Sequence, residues 1–174
     1  RFNKQAGIKE ATVVWKKLCK FVTVEEADKA PTQKQLLNNI SGVAKPGEMT
    51  ALMGPSGSGK TTLLNILGGR ALSDVTGDVS INNVKYKKSM KRAIAYVLQE
   101  DIFYTELTVL EQLSITSKLR LPDALSNEEK QAAVNHVIKS LRIEKCANTQ
   151  IMLISGGEKK RCNIGTELLT NPTI

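Results

Sequence analysis

The feature that most constrains the fold of this chain is a glycine-rich run that fills every position of the pattern G-x-x-x-x-G-K-[ST]. The run consists of Gly54, Pro55, Ser56, Gly57, Ser58, Gly59, Lys60, Thr61 and Thr62. Glycines let the backbone curl so that successive N–H groups point toward one centre, and such a nest attracts anions. A helix that starts at the loop adds the positive end of its dipole. The run therefore predicts a phosphate-binding loop between a strand and a helix.

The end of the loop suits a nucleotide that carries a magnesium ion. Lys60 can reach the β- and γ-phosphates as a point charge, and the Thr61 hydroxyl can ligate Mg²⁺. The flanks agree, because residues 49–53 form an apolar run typical of a buried parallel strand. Residues 62–67 form an apolar run typical of a helix, which Gly68 and Gly69 would end. We expect all the loop residues to contact the cofactor and Thr61 to hold the metal.

Composition narrows the class of protein. The 174 residues suffice for one domain with a buried core, and no apolar run approaches the ~20 residues that cross a bilayer. The net charge of +8 comes from scattered lysines with only 4% aromatic residues, which does not predict nucleic-acid binding. The basic run at residues 85–92 is interpreted as a solvated surface. Three widely spaced cysteines predict neither a zinc site nor a disulfide framework.

The predicted elements change character at Gln99. Before it, β-branched content and turn signals predict a strand pair over residues 11–24, a loop over 25–35, and strands over 36–44, 76–83 and 93–98. After it, a helix is predicted over residues 108–121. A second helix starts at the capping box Ser126-x-x-Glu129 and places Val134, Val137, Ile138 and Leu141 on one face. His136, in that helix, is interpreted as an ordinary helical residue.

A second motif, Ile-Ser-Gly-Gly-Glu-Lys-Lys-Arg, occupies residues 154–161. Ser155 and Glu158 have capping-box spacing, and Gly156 and Gly157 leave the first N–H groups of the helix approachable. In isolation, an ordinary capped helix is the preferred interpretation of the motif. Downstream of a complete phosphate loop, a second phosphate contact is the preferred interpretation.

The two motifs in this order resemble the ATP-binding cassette (ABC) family, whose signature reads L-S-G-G-Q. Ile154 and Glu158 depart from that signature, and the second departure is usual in the white or G subfamily of half-transporters. Residues 96–101 resemble the family's glutamine loop, and residues 45–54 and 165–169 are similar to the same subfamily. The resemblance implies an α/β fold, with a P-loop NTPase (RecA-like) core, an antiparallel β subdomain and a helical subdomain, incomplete at the C-terminus. The expected segments are residues 1–98, 99–154 and 155–174.

What the resemblance implies for function is concrete. The cofactors are ATP and Mg²⁺, with Gln99 contacting the metal or the attacking water. The partners are a second cassette and the transmembrane domain of the same polypeptide, with no nucleic acid. ATP lies between the phosphate loop of one cassette and a segment of the other that comprises Ser155, Gly156, Gly157 and Glu158. Phe21 is a candidate for stacking on adenine, although a core phenylalanine is the preferred interpretation.

The implied parent is an ATPase at the cytoplasmic face of a membrane that powers export of lipids, sterols or hydrophobic compounds. The family's carboxylate-bearing strand and switch histidine are expected after Ile174. No catalytic residue is therefore assigned within the chain, and residues 1–174 alone are expected to be inactive. The alternative is a soluble ABC-type ATPase that acts on ribosomes or in DNA repair. Such proteins share both motifs but carry a second cassette rather than apolar stretches of about 20 residues.

Overall fold

A computed structural model describes residues 10–24 and 30–174. The strands and helices are β1 (Val13–Val24), β2 (Thr32–Ala44), α1 (Lys60–Leu67), β3 (Val75–Ile81), β4 (Val84–Lys85), α2 (Val109–Arg120), α3 (Asn127–Ser140) and α4 (Gly156–Leu168). Short 3₁₀ turns occupy Lys88–Ala93, Glu144–Cys146 and Ile151–Leu153. The described residues form two compact units: one holds the chain up to residue 94 together with residues 173–174, and the other holds residues 95–172.

The first unit is built on a four-stranded antiparallel sheet with the order β2-β1-β3-β4. The strand pair predicted over residues 11–24 is wrong, because β1 is one continuous strand. Lys17 has a φ of 50°, and the pairing of β1 with both neighbours shifts register at this point. The irregularity is thus a bulge, which bends a strand without reversing it.

The other strands largely follow the predicted bounds. The predicted strand over residues 76–83 is confirmed as β3, and Asn82 and Asn83, with φ of 49° and 63°, make the tight turn into β4. The predicted strand over residues 36–44 is confirmed, but β2 begins at Thr32. Residues 32–35 of the predicted loop are therefore strand, and residues 25–29 lie outside the described residues.

Helix α1 confirms the helix predicted after the glycine run, and it begins two residues early, at Lys60. Leu63 and Ile66, three residues apart, lie on one face of α1 and pack into the core of this unit. Burying such a side chain stabilises the fold by about 1.5–3 kcal/mol. The buried core consists of Val13, Trp15, Leu18, Leu37, Leu63, Ile66 and Val79.

The prediction of buried strands at residues 49–53 and 93–98 is wrong. Neither run forms a strand, and Met49 and Met53 are fully or almost fully exposed, at 101% and 89%. A parallel strand is buried on both faces and needs neighbouring strands to pair with its backbone. No described strand pairs with either segment, so apolar character alone does not make them strands.

The second unit confirms the helices predicted after Gln99. Helices α2, α3 and α4 surround one core, to which Val134, Val137 and Ile138 contribute the predicted apolar face of α3. His136 is exposed on α3, as interpreted from the sequence. Burial raises the pKa of the Cys162 thiol to about 12, which keeps this thiol protonated and unreactive. Among the described residues, no helix combines the length and hydropathy that crossing a membrane requires.

Candidate functional site

The glycine run folds as a tight turn that leads directly into α1. Gly57 and Gly59 have φ of 78° and 87°, and the Ser58 N–H donates to the Pro55 carbonyl at 3.3 Å. A Cβ on Gly59 would lie 2.7 Å from Leu37 Cδ2, on strand β2. The left-handed backbone and the close approach of β2 both require glycine at residue 59. The sheet thus fixes the position at which the loop meets the helix.

The Lys60 side chain folds back over the loop. Its Nζ donates to the carbonyl oxygens of Gly54 at 3.0 Å and Pro55 at 2.7 Å, and lies 3.4 Å from Ser58 Oγ. These contacts hold a positive charge against the turn. Thr61, the next residue, is exposed on the first turn of α1, so its hydroxyl is accessible to a ligand.

The start of α1 differs from the starts of the other helices. Helices α2, α3 and α4 each begin with a complete capping box, in which side chains bond the N–H groups of the N-cap and N3 residues. Helix α1, whose N-cap is Gly59, has no side-chain cap and carries no acidic residue in its first turn. Its first N–H groups, together with the helix dipole, therefore remain available to an anion.

The second motif forms the N-terminus of α4. The Ser155 N–H and hydroxyl donate to Glu158 Oε2 at 2.9 Å and 2.6 Å, and the Glu158 N–H donates to Ser155 Oγ at 3.4 Å. The bonds from Ser155 hold the pKa of the Glu158 carboxyl below its usual value. The predicted capping box is confirmed.

The two glycines of this motif have no packing role within the described residues. A Cβ on Gly156 would meet nothing within 4 Å, and one on Gly157 would meet only the end of the Arg161 side chain, at 3.7 Å. Neither glycine has a positive φ. Open space in front of both residues therefore leaves the helix start accessible to a group from outside.

Gln99 is exposed, and its backbone is attached to α4. Lys160 Nζ donates to the Gln99 carbonyl at 3.0 Å and to Asp101 Oδ1 at 2.8 Å, and the Asn163 amide donates to the same carboxylate oxygen. The hydrogen bond from Lys160 is the main cause that lowers the pKa of Asp101. Sequence reasoning missed the roles of Lys160 and Asn163. Their i, i+3 spacing, which places both on one helix face, was the available signal.

The predicted site residues are thus distributed over two units. Residues 54–62 belong to the first unit, and Gln99 lies with residues 155–158 in the second. Phe21, the candidate for adenine stacking, is half-buried in β1, where its N–H donates to the Asp74 carbonyl at 3.2 Å. Its role with adenine stays a prediction.

Known proteins are similar to this chain in sequence. The model of the ABC transporter family matches residues 37–174. The chain is 45% identical over 146 residues to ABC transporter G family member 26 of Arabidopsis thaliana, and this match covers 81% of the chain and 21% of the relative. It is 40% identical over 148 residues to the broad substrate specificity ATP-binding cassette transporter ABCG2 of Mus musculus, and this match covers 82% of the chain and 22% of the relative. The chain spans about a fifth of the length of such relatives.

The fold has a solved counterpart. The dimeric structure of MJ0796, a bacterial ABC transporter cassette, matches with a TM-score of 0.71 and 30% sequence identity. The match covers 92% of this chain and 70% of the other. This likeness confirms the α/β cassette fold that the family resemblance implied.

Proposed function

The chain belongs to the ABC transporter family, and on that premise we propose that it binds ATP with Mg²⁺ and supplies the hydrolytic power of a transporter similar to the G family. The uncapped start of α1 carries the proposal. In α2, α3 and α4 a side chain bonds the N3 N–H group, whereas α1 has no side-chain cap and the Lys60 ammonium lies against the loop before it. That combination of donors and charge fits a nucleotide polyphosphate.

Each loop residue has a role in this proposal. The backbone N–H groups of residues 54–60 would cradle the phosphates, and Lys60 would exchange its loop carbonyls for phosphate oxygens. The Thr61 hydroxyl and the Gln99 side chain would hold Mg²⁺, whose charge, when bound, offsets the negative charge of the phosphates. The exposure of Thr61 and Gln99 supports this assignment.

A second copy of the cassette would complete the site. The nucleotide held by the partner cassette would meet the segment Ser155, Gly156, Gly157 and Glu158. The start of α4 is open, and a Cβ at Gly156 or Gly157 would be within 3.4 Å of no described residue beyond the adjacent helix backbone. The dimeric state named for the bacterial cassette supports pairing of this kind. Closure on ATP and reopening after hydrolysis would then drive transport.

The proposed setting is the cytoplasmic face of a membrane, with a transmembrane domain as partner and lipids, sterols or other hydrophobic compounds as substrates. The names of the relatives describe transporters, which favours this setting over the ribosome or DNA-repair alternative. The name of the mouse relative describes broad substrate specificity, which fits a class of substrates rather than one compound.

Removal of the Lys60 charge tests nucleotide binding. Lys60→Ala deletes a charge-assisted contact worth roughly 1.5–3 kcal/mol, so ATP affinity should fall by about 10- to 150-fold. Titration with ATP measures the affinity, and circular dichroism verifies that the variant is folded. Lys45→Ala, which removes an exposed lysine outside the loop, is the matched control and should bind ATP like the unmodified protein. Equal affinity in the Lys60→Ala and Lys45→Ala variants would refute the proposed phosphate site.

A further inference from the structure

Asp101, Lys160 and Asn163 form a polar connection between the Gln99 segment and helix α4, which we call the α4 bridge. Lys160 Nζ donates to three oxygens: the Leu98 carbonyl at 3.3 Å, the Gln99 carbonyl at 3.0 Å and Asp101 Oδ1 at 2.8 Å. Asn163 donates its side-chain amide to the same Asp101 oxygen. Two consecutive backbone carbonyls and one carboxylate are thereby attached to one face of one helix.

The geometry of the α4 bridge favours a positioning role over a stabilising one. An ammonium group has three N–H donors, and Lys160 has an acceptor for each of them. The Lys160 and Asp101 side chains are still 43% and 22% exposed, and ion pairs in contact with water contribute little to stability. What the bridge fixes is the location of the Gln99 backbone.

The same helix begins at the second motif. Lys160 follows Ser155 by little more than one turn of α4, and the Ser155–Glu158 box closes that first turn with hydrogen bonds. The Gln99 segment and the open glycine face of α4 are therefore connected through one capped helical turn.

We propose that the α4 bridge couples the position of Gln99 to the position of the Ser155–Glu158 segment, so that metal contact at one nucleotide and phosphate contact at the other are adjusted together. The proposal rests on the proposed function, in which Gln99 contacts Mg²⁺ and Ser155 faces the partner's nucleotide. The bridge residues themselves are positioning residues, because they act through Gln99 and α4.

Loss of the Lys160 donor tests the coupling in the full protein that carries this chain. Lys160→Met keeps the length of the side chain but removes Nζ. Changes in residues that orient a metal ligand typically cost about 10- to 100-fold in metal affinity, so the Mg²⁺ concentration for half-maximal ATPase should rise roughly tenfold. Amide hydrogen exchange of residues 98–102, measured without nucleotide, should accelerate, whereas ATP affinity measured in EDTA should not change.

Arg120 provides the matched control. It forms a two-bond ion pair with Glu167 on the same helix α4, at 2.7 Å and 3.0 Å, and donates to the Thr166 carbonyl at 3.2 Å, so these bonds connect α2 to α4. Arg120→Met therefore removes a comparable pair that connects α2 to α4. It should lower the melting temperature but leave the Mg²⁺ dependence and the exchange of residues 98–102 unchanged. Lys160→Arg retains a donor cation. It should bring the Mg²⁺ concentration for half-maximal ATPase most of the way back to that of the unmodified protein.

Two outcomes would overturn the coupling. One is an unchanged Mg²⁺ dependence and unchanged exchange in Lys160→Met, and the other is an equal change in Lys160→Met and Arg120→Met. If Lys160→Met does not fold, Asp101→Asn tests the coupling in its place. This variant removes the carboxylate charge to which Lys160 and Asn163 both donate, and it should raise the half-maximal Mg²⁺ concentration in the same way. Lys60→Ala separates the two proposals: normal ATP affinity in that variant refutes the nucleotide site itself, whereas a silent Lys160→Met alone refutes only the coupling.

Discussion

At the scale of single residues, carboxylates organise the helical unit by bonding to backbone and hydroxyl groups at helix starts. Glu111 and Glu158 each reach back to the residue that caps their helix, and in both cases these hydrogen bonds lower the pKa of the carboxyl group. Asp101 is held ionised mainly by Lys160. The ionised form of each group is therefore the one that the folded state favours.

Acidification should consequently destabilise the chain. A carboxyl group whose pKa is lower when folded adds stability that is fully present above its unfolded pKa and is lost as pH falls through its folded pKa. For Glu158 the loss should begin just below its ordinary value of 4.5 and continue to lower pH. Glu158→Gln should flatten the fall in urea-unfolding free energy between pH 5 and pH 3.

Glu128→Gln is the control for this measurement, because Glu128 lies in the first turn of α3 outside its capping box. The fall in unfolding free energy should flatten more in Glu158→Gln than in this control. A Glu158→Gln variant that retains the full pH dependence would show that the Ser155–Glu158 box does not contribute to it.

At the scale of elements, helix α4 uses its glycines for two different purposes. Gly165 is buried, and a Cβ there would lie 3.1 Å from Val137, 3.2 Å from Leu141 and 3.3 Å from Leu113. The glycine permits close packing of α4 against α2 and α3. Gly156, at the start of the same helix, faces open space.

Alanine should therefore be tolerated at residue 156 but not at residue 165. Gly165→Ala gains about 1 kcal/mol of helix propensity but overpacks the core at a cost of about 1–3 kcal/mol, so a net loss is expected. Gly156→Ala should not lower the free energy of unfolding. Denaturant titration of both variants measures the difference, and a stable Gly165→Ala would contradict the packing of α4 described above.

Local signals in the sequence predicted the helices well. Capping boxes and i, i+3, i+4 spacing involve residues within one or two turns, so Ser126, Ser155 and the apolar face of α3 could be recognised directly. The box of α2, at Thr108 and Glu111, carries the same signal and was missed. Strands depend on partners distant in the sequence, which is why residues 49–53 and 93–98 were assigned wrongly and β1 was divided into two strands.

At the scale of the whole molecule, a second copy of this chain would complete the proposed site. The phosphate loop and the Ser155–Glu158 segment belong to different compact units. The family resemblance implies that two cassettes share each nucleotide, and for this chain that arrangement stays a prediction. The side chains that attach Gln99 to α4 could not be predicted, since Asp101 and Lys160 are 59 residues apart in sequence.

ATP-driven pairing of two cassettes is tested most directly by Gly157→Asp. The substitution adds a side chain and a negative charge where a phosphate of the partner's nucleotide would approach, in a place where the chain itself has room for it. Light scattering with and without ATP measures the dimer population, and titration measures the ATP affinity of each cassette. We expect normal ATP affinity and no ATP-dependent dimer in Gly157→Asp, with dimers still forming in Gly165→Ala. A Gly157→Asp variant that dimerises with ATP as the unmodified chain does would contradict the role of the second motif.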